Sequence, residues 1–574
     1  MNIPFILFMA ILTGNLMAAE DNVQTKRKQA APVNVTSRDI VVTKRYLHLP
    51  IANIANKAEA LKVSFLVDGT VIVKNDIGLA DGKPDWWAFM DVNAWKGKTL
   101  TIRVDNLPAN SMALKVIEQS DTLKDADDLY REALRDQFHF SSQRGWLNDP
   151  NGLSFFNGEY HLFYQHNPYG LQHPSDYWGH AVSRDLLHWQ ELGDTLAPDE
   201  LGSQASGSAV VDWKNTSGFG TAGKPPHVLI YTAAGHPAVQ CIASSTDGRT
   251  YTKYSGNPVV QQITHGNRDP KVCWYEPTKK WVMVLYVGKD KKHTVHFLTS
   301  PNLRDWTLAS VTEGGGATDR FLYECPDFFE LPVDGDVTKK KWVLAAANSD
   351  YAIGTFDGTT FTPEQTRLPG HRGRGFYAAQ TFSDIPAQDG RRIQIGWLRT
   401  RTPGMPFTQS LSIPLELGLI STTDGPRLTM NPVKELATLR TSTKRFDAMQ
   451  LKPDSANPLS GIKAELVELN AEFEPGDAAE VVFTIRGATI AYDMKKQELV
   501  VNNHRAPAPL RSGKQRLTVF CDRTVLEIFA SDGLTYVPLL FQPKADDLEL
   551  GVQSKGGSVK MNALQVHQLQ SIWK

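Results

Sequence analysis

The stretch Ala181-Val-Ser-Arg-Asp-Leu-Leu-His-Trp189 decides the fold of this chain, because variants of it recur along the sequence. Each copy runs from the end of an apolar strand through a polar turn to an aromatic residue. The later copies end at Tyr251, Trp306 and Phe361, at intervals of 62, 55 and 55 residues. A repeat of about 50–60 residues built from short strands is typical of a β-propeller. We expect the closing aromatic residues to pack the repeated units together.

An apolar hairpin precedes each copy, and a fifth hairpin follows the last one. Each hairpin consists of two apolar runs joined by a turn that contains glycine or charged residues. The hairpins span residues 152–164, 209–231, 272–286, 328–345 and 378–397. Five such hairpins predict a five-bladed propeller over residues 137–420.

Short alternating runs on both sides of this region predict two further β-rich units. Residues 39–118 are predicted to form an N-terminal β-sandwich-like module, and residues 421–574 a linker and a C-terminal β-sandwich. Between the module and the propeller, residues 119–136 predict a linker that forms a helix. The composition agrees with an all-β chain rich in turns, since the 574 residues include 43 Gly, 33 Pro, 13 Trp, 16 Tyr and 25 Phe.

The beginning of the sequence predicts export. The apolar run Ile3–Leu12 is too short to span a bilayer, and small residues follow it, so residues 1–19 are interpreted as a signal peptide. Residues 20–38 are polar and predict a flexible leader. We therefore expect a periplasmic or extracellular protein without a membrane anchor. Four cysteines in so long a chain exclude a disulfide scaffold; we expect buried thiols, with a single disulfide as the alternative.

The charges of the chain nearly cancel. There are 61 Lys and Arg residues against 62 Asp and Glu residues, which gives a net charge of −1. No basic excess indicates a nucleic acid partner. A neutral substrate fits this balance better than a phosphorylated one. Nothing in the sequence indicates an oligomeric state.

Carboxylates recur at the start of three hairpins. Asp149 lies in Trp-Leu-Asn-Asp-Pro-Asn-Gly, Asp269 in Arg-Asp-Pro and Glu324 in Glu-Cys-Pro. Since the first strand of each propeller blade lines the central channel, the starts of these strands meet at one mouth. We expect the three acids to converge there, although a single Asp-Pro would indicate only a turn.

Converging carboxylates without a His or Cys metal set indicate glycoside chemistry, which needs one acid and one nucleophile or base. We expect no metal and no cofactor. Crowding of the carboxyl groups should raise the pKa of at least one of them. Aromatic and amide side chains nearby can stack on sugar rings or bond to hydroxyl groups; the candidates are Trp146, Trp178, Tyr323, Tyr377, Trp397, Asn148, Gln165 and Gln380.

The three acid motifs, in this order, closely resemble glycoside hydrolase family 32, which contains invertases, inulinases and levanases. The resemblance runs from about residue 137 to the C-terminus and includes residues 163–168, 178–183 and 522–529. It implies a five-bladed propeller followed by a β-sandwich, and a double displacement with retention that uses no metal. The N-terminal module is not part of the family's minimal architecture.

The resemblance also implies roles for individual residues. Asp149 would be the nucleophile, Glu324 the acid/base and Asp269 the group that stabilises the transition state. Arg268 would orient these groups and help to keep the carboxylates charged, and Cys325 either tunes the surroundings of the acid or is a small buried residue. Asn148, Gln165 and Trp397 match sugar-contacting positions of the family. We also expect substrate contacts from Trp146, His173, Trp178, Ser206, Arg268 and Tyr377.

The chain departs from the family pattern around the sugar pocket. His173 stands where the family commonly has Trp, and His166 stands where it has Tyr. Residues 205–208 read Ala-Ser-Gly-Ser instead of Phe-Ser-Gly-Ser. These changes leave the three acids intact and bear on substrate preference.

The segments 269–272, 324–335 and 376–380 resemble exo-acting levanases and inulinases more than sucrose-phosphate hydrolases. We therefore expect release of terminal β-D-fructofuranosyl residues from levan or inulin, with sucrose as a further substrate. An invertase or an endo-levanase is the main alternative. A fructosyltransferase and a non-catalytic fructan-binding propeller are more remote alternatives.

Overall fold

A computed structural model describes residues 34–173, 177–316 and 318–573. The predicted signal peptide and most of the predicted leader lie outside these ranges. Within them, α-helix is confined to the single turn Ala113–Val116, and the all-β prediction is confirmed. In the described part of the chain, no helix is long and apolar enough to cross a membrane.

Seven strands build the N-terminal module: β1 (Val35–Val41), β2 (Tyr46–Ile51), β3 (Leu61–Val67), β4 (Thr70–Ile77), β5 (Trp86–Asp91), β6 (Thr99–Asp105) and β7 (Glu118–Ser120). They form two antiparallel sheets with the strand orders β1-β6-β3-β4 and β5-β2-β7. Alternation of residue type fixes the inner face, since Leu100, Ile102 and Val104 of β6 are buried and the residues between them are not. Both sheets contribute to one hydrophobic core, as expected of a sandwich.

The module begins earlier and ends later than predicted. β1 starts inside the segment 20–38 that we expected to be a flexible leader, because it pairs with β6 from Val35↔Asp105 to Val41↔Thr99. At the other end, β7 pairs with β2 as far as Tyr46↔Ser120. The described part of the predicted leader is therefore an edge strand.

The helix predicted over residues 119–136 is wrong. The segment begins in β7, contains one 3-10 turn at Ala126–Asp128 and is otherwise irregular. Asp125 and Tyr130 have φ values of 57° and 63°, which interrupt a helix. An ion pair with a residue outside the segment holds it instead, since Arg144 donates to Glu132 at 2.7 Å. Within the segment, Arg135 also donates to Glu132, at 2.9 Å.

Twenty-two strands build the central region within the described residues. They are β8 (Gly145–Phe156), β9 (Glu159–Asn167), β10 (Tyr177–Ser183), β11 (Gln190–Leu196), β12 (Gln204–Val211), β13 (His227–Ala233), β14 (Val239–Ser245), β15 (Thr252–Lys253), β16 (Arg268–Tyr275), β17 (Lys280–Lys289), β18 (Lys292–Ser300), β19 (Thr307–Gly316), β20 (Asp327–Val333), β21 (Asp336–Ala345), β22 (Tyr351–Phe356), β23 (Phe361–Leu368), β24 (Phe376–Thr381), β25 (Arg392–Leu398), β26 (Phe407–Thr408), β27 (Ser410–Leu411), β28 (Leu415–Thr422) and β29 (Gly425–Pro432).

The five predicted hairpins are confirmed as the antiparallel pairs β8–β9, β12–β13, β16–β17, β20–β21 and β24–β25. Their first strands form a closed ring, since each contacts the next and β24 contacts β8. Apolar side chains fill the space between successive hairpins, and Tyr251, Trp306 and Phe361 pack there as predicted. Trp189 packs against the large core that also reaches the C-terminal sandwich.

The sheets of the central region number four in the described residues, because the fourth and fifth hairpins share one nine-stranded sheet. β28 joins them by pairing with β25 and, through Val333↔Leu419, with β20. β26 returns to the first sheet and pairs in parallel with β8 through Phe407↔Gly145, so a late segment closes the ring. The predicted boundary at residue 420 falls inside β28, and β29 continues that sheet.

Twelve strands build the C-terminal sandwich: β30 (Arg440–Phe446), β31 (Met449–Leu451), β32 (Val467–Glu474), β33 (Glu480–Ile485), β34 (Ala488–Asp493), β35 (Glu498–Val501), β36 (His504–Pro507), β37 (Gln515–Cys521), β38 (Val525–Ala530), β39 (Thr535–Leu540), β40 (Leu550–Lys555) and β41 (Val559–Leu569). One sheet has the order β30-β41-β32-β37-β38-β39 with β31 beside β41, and the other has the order β36-β35-β34-β33-β40. The two sheets share one core.

A buried group of charges joins the central region to this sandwich. The His139 ring lies between two carboxylates, with Nδ1 2.8 Å from Asp522 Oδ2 and Nε2 2.7 Å from Glu527 Oε2. All three side chains are fully buried. Burial lowers the pKa of His139, but the hydrogen bonds and charges of the two carboxylates outweigh it and raise this pKa to about 10. The imidazolium therefore bridges the two acids and offsets part of their negative charge.

We expect His139→Ala to lower the free energy of unfolding by about 3–5 kcal/mol, because two buried carboxylates would lose their cation. The folded-state pKa of His139 is raised from 6.5 to about 10. Its contribution to stability is therefore complete below pH 6.5 and declines as the pH rises through about 10. Denaturant titrations of the wild type and the variant across this pH range measure both effects.

His188→Ala is the control for this experiment. His188 pairs with Asp185 at the surface, where 36% of its side chain is exposed. We expect it to change stability by no more than about 0.5 kcal/mol. Equal losses in the two variants would contradict the role given to His139.

Candidate active site

Three carboxyl groups lie where the first strands of the ring begin. Asp149 is in β8, Asp269 is in β16, and Glu324 comes three residues before β20. The Cys325 Sγ atom is 3.6 Å from Asp149 Oδ2 and 3.5 Å from Asp269 Oδ2, which shows how closely these acids approach. The acids therefore converge at one end of the ring, although they are far apart in sequence.

Irregular backbone aims these side chains into the site. The hairpin register shifts between Leu147 and Pro150, between Ala205 and Gly207, between Arg268 and Lys271, and between Tyr377 and Gln380. A β-bulge adds a residue to one strand and redirects its neighbours. The first strand of four hairpins is thus irregular at the level of the three acids.

Left-handed backbone adds to this effect. Asp269, Glu324 and Cys325 have φ values of 63°, 45° and 43°. Such conformations are costly for residues other than glycine and persist only where the surrounding structure holds them. Two of the three acids, and the cysteine that follows Glu324, thus share this conformation with other turn residues of the chain.

Asp149 is held by two neutral donors. Ser206 Oγ donates a hydrogen bond to Asp149 Oδ2 at 2.7 Å, and Asn148 Nδ2 donates to Oδ1 at 3.1 Å. Trp146 Nε1 in turn donates to Asn148 Oδ1 at 2.9 Å, which orients the amide. Burial raises the pKa of Asp149, whereas the hydrogen bonds from Ser206 and Asn148 oppose this rise.

Glu324 has different partners. Arg268 Nη2 donates to Glu324 Oε2 at 2.8 Å, and the Tyr377 hydroxyl donates to Oε1. The Arg268 guanidinium lies over the Tyr286 ring at 4.6 Å, which fixes its plane. Burial and the charge of Glu324 raise the pKa of Tyr377, so its hydroxyl remains a donor.

Asp269 is the most buried of the three acids. Its Oδ2 atom accepts the backbone N–H of Cys325 at 2.9 Å and lies 3.6 Å from Arg268 Nε. Burial raises the pKa of Asp269 to about 7; Arg268 opposes this rise, and Glu324 and Asp149 add to it. The expected rise of a carboxyl pKa is therefore confirmed, with burial rather than crowding as its main cause.

Aromatic rings form a continuous wall beside the acids. Tyr377 and Trp397 have ring centroids 6.3 Å apart, Trp397 and Trp146 6.1 Å, and Trp146 and His173 6.5 Å. These rings are half-buried or exposed. Arg399 lies over Tyr377 and Trp397 at 4.3 and 4.7 Å. The wall is the surface on which a sugar could stack.

Trp178 corrects our expectation of a substrate contact. It is fully buried and packs with Phe163 and Tyr231 in the core between the first two hairpins. Its Nε1 donates to the carbonyl of Ala205 at 3.0 Å, so it supports the strand that carries Ser206. Gln165 is likewise almost fully buried, and its Nε2 donates to the carbonyl of Gln204 at 2.9 Å.

Sequence reasoning missed three residues that shape the site. Thr232 Oγ1 accepts the backbone N–H of Asp269 at 3.0 Å and holds its strained peptide. Tyr286 and Arg399 support Arg268 and the aromatic wall. Thr232 and Tyr286 lie in second strands of hairpins, whereas the pattern of acids marks only the starts of first strands. Arg399 follows Trp397 by two residues and could have been found from that spacing.

Cys325 makes polar contacts, which goes beyond the alternative of a merely small buried residue. Its N–H and its thiol both point to Asp269, and the thiol also approaches Asp149. Burial raises the pKa of this thiol well above its usual value. All four cysteines are free, which excludes the alternative of a disulfide. The expectation of buried thiols is confirmed for Cys241 and Cys521, whereas Cys273 and Cys325 are half-buried.

Comparison with known proteins covers most of the central and C-terminal regions. The family model for the glycosyl hydrolases family 32 N-terminal domain matches residues 139–432, and the model for the C-terminal domain of that family matches residues 435–568. A levanase of Bacillus subtilis (strain 168) is 41% identical over 489 residues, which cover 77% of this chain and 72% of the levanase.

Two further relatives extend this result. The extracellular exo-inulinase of Aspergillus ficuum is 30% identical over 527 residues, covering 77% of this chain and 96% of that protein. The crystal structure of exo-inulinase from Aspergillus awamori is similar with a TM-score of 0.68 and 28% identity, over 77% of this chain and 100% of that one. With two family models matched in order and this extent of similarity, the chain belongs to glycoside hydrolase family 32.

Proposed function

We propose that this chain is a retaining β-fructosidase that releases terminal fructose from levan or inulin and also hydrolyses sucrose. The observation that carries the proposal is the difference between two neighbouring acids. Asp149 is held by the neutral donors Ser206 and Asn148, whereas Glu324 is held by Arg268 and Tyr377. Double displacement needs two carboxyl groups with different roles. The levanase and exo-inulinase relatives support a fructan substrate.

In the first step, an Asp149 oxygen attacks C2 of the terminal fructofuranosyl unit. The bond from C2 to the leaving oxygen breaks, and Glu324 transfers its proton to that oxygen. Ser206 and Asn148 keep the attacking carboxylate aimed. The product of this step is a fructosyl-enzyme ester.

In the second step, Glu324, now a carboxylate, takes a proton from a water molecule whose oxygen attacks C2. The ester bond to Asp149 breaks, and fructose leaves with its original configuration. Asp269 would bond to ring hydroxyls and stabilise positive charge on the sugar in both transition states. Arg268 would keep Asp269 and Glu324 in place through the steps.

We also propose that the central region is a five-bladed propeller and that the protein is exported. The closed ring of five first strands supports five blades, although the last two hairpins share a sheet. Export is supported by the apolar run at residues 3–12 and by the extracellular exo-inulinase relative.

The products formed from levan, inulin and sucrose test the activity. We expect fructose as the only early product from both polymers, because each cleavage at the chain end frees one unit. Chromatography of early time points measures this. Early oligosaccharides would indicate an endo-levanase, activity on sucrose alone an invertase, and kestose-like products from sucrose a fructosyltransferase. No turnover of any fructoside would overturn the enzyme proposal.

Substitution of the two acids tests the mechanism. We expect Asp149→Asn and Glu324→Gln each to lower kcat on sucrose by about 10²–10⁴-fold or more, because they remove the nucleophile and the proton donor. For Glu324→Gln, formation of the ester should be less impaired with an aryl β-fructofuranoside, whose leaving group needs little protonation. Asp305→Asn is the control, since the Asp305 carboxylate is exposed and accepts a hydrogen bond from Asn302. A near-normal rate in either acid variant would refute its assigned role.

The pH profile tests the role of Arg268. Asp269 has a pKa raised to about 7, and the Arg268 charge opposes this rise. We expect Arg268→Gln to raise the pKa of Asp269 further and to move the acidic limb of kcat/KM to higher pH. Arg184→Gln is the control, since Arg184 is 83% exposed and lies 3.7 Å from Glu159 at the surface. An acidic limb that does not move in Arg268→Gln would contradict this coupling.

A further inference from the structure

A cavity of about 110 Å³ lies between the N-terminal module and the central region. On the module side it is lined by the turn at residues 52–54 and by Asn75 and Asp76 of β4, the edge strand of its sheet. On the other side it is lined by residue 167, the last of β9, and by residues 169–173. Neither part forms the cavity alone.

The module is fixed to this segment by packing and by a buried hydrogen bond. Tyr169 and Tyr177 of the central region lie within the hydrophobic core of the N-terminal module, and Leu171 packs against that core. Asn75 Nδ2 donates to the Tyr177 hydroxyl at 2.6 Å in a buried position. The cavity wall is therefore held in a defined place relative to the acids.

The cavity adjoins the candidate active site through His173. This residue lines the cavity, and its ring centroid is 6.5 Å from that of Trp146. Trp146 donates to Asn148, which donates to Asp149. A chain of sugar units that starts at Asp149 and follows the aromatic wall outward would thus reach the N-terminal module.

The lining suits neutral, hydroxyl-rich units. Side-chain amides predominate among its polar groups, from Asn53, Asn75, Asn167 and Gln172. An amide offers both donors and an acceptor, which matches hydroxyl groups of a sugar. Part of this capacity is used within the protein, because Asn75 Nδ2 donates to Tyr177, Asn53 Oδ1 accepts from Trp86, and both ends of the Asn167 amide bond to the segment 169–172. A ligand would therefore bond mainly to Asn53 Nδ2, Asn75 Oδ1 and the Gln172 amide. Among the described residues that line the cavity, none is a lysine or an arginine, so nothing there favours a phosphate or another anion.

We propose that the N-terminal module and the segment 167–173 together form a binding site for fructosyl units of a fructan chain beyond those bound at the acids. The inference rests on the proposed function and deepens it, because it gives the additional module a role in recognising polymers. Sucrose offers a single sugar unit beyond the bond that is cleaved, whereas a fructan offers a chain of them. The module would therefore favour polymer over sucrose without taking part in the chemistry.

The test compares long and short substrates in variants of the cavity. Ala60→Trp fills it from the module side, and Asp76→Ala removes a polar wall group. We expect the ratio of kcat/KM for levan or long inulin to kcat/KM for sucrose to fall roughly three- to tenfold, the effect of losing one or two hydrogen bonds. Asp68→Asn is the control, since Asp68 pairs with Lys98 at the surface of the same module and does not line the cavity.

Binding without turnover gives a second measurement. In an Asp149→Asn background, calorimetry with a fructan oligosaccharide of about six units should show weaker binding when Ala60→Trp is added, and thermal unfolding checks that each variant is folded. If the wild type hydrolyses fructans but Ala60→Trp leaves the substrate ratio and this affinity unchanged, the cavity does not bind the chain. If the wild type hydrolyses no fructoside, the proposed function fails first.

Discussion

The Arg268 guanidinium is the interaction on which the candidate active site depends. Three carboxyl groups approach one another where water is largely excluded, and their mutual repulsion works against any fold that gathers them. Arg268 lies 2.8 Å from one oxygen of Glu324 and 3.6 Å from Asp269, and its plane is set by the Tyr286 ring. One cation thereby neutralises part of the charge of two acids. The third acid, Asp149, is stabilised by hydrogen bonds from Ser206 and Asn148.

The acids are brought together by irregular backbone in the first strands of the hairpins, which are supported by regular second strands. Long second strands such as β17 are buried on both faces and give each hairpin a rigid base. Near the acids the first strands depart from ideal pairing, and bulges and positive φ values there turn side chains inward. Rigid strands make such strain tolerable, because the many contacts of the ring outweigh the cost of a few unfavourable dihedral angles.

Much of this organisation was predictable because it is local in sequence. Alternating apolar residues separated by turn residues predict hairpins directly. The three acids can be recognised in the sequence because each lies near the start of a hairpin. Features that depend on distant partners were not predictable. β1 is polar and pairs with β6, which lies far along the chain. In the segment predicted to be a helix, Glu132 instead forms an ion pair with Arg144, which lies outside that segment. Trp178 was misjudged because β10 is buried on both faces, and alternation then says nothing about which side chains meet solvent.

The joint at His139 has a consequence for the order in which the protein matures. Asp522 and Glu527, which neutralise this residue, are made 383 and 388 residues after it. β8 likewise pairs with β26, which is made much later in the chain and closes the ring. Domains usually fold in turn as the chain emerges from the ribosome. Here the segment that leads into Asp149 lacks its partners until the last sandwich is nearly complete. A chain that lacks residues 522 and 527 therefore leaves His139 without the two carboxylates that hold it in the complete fold.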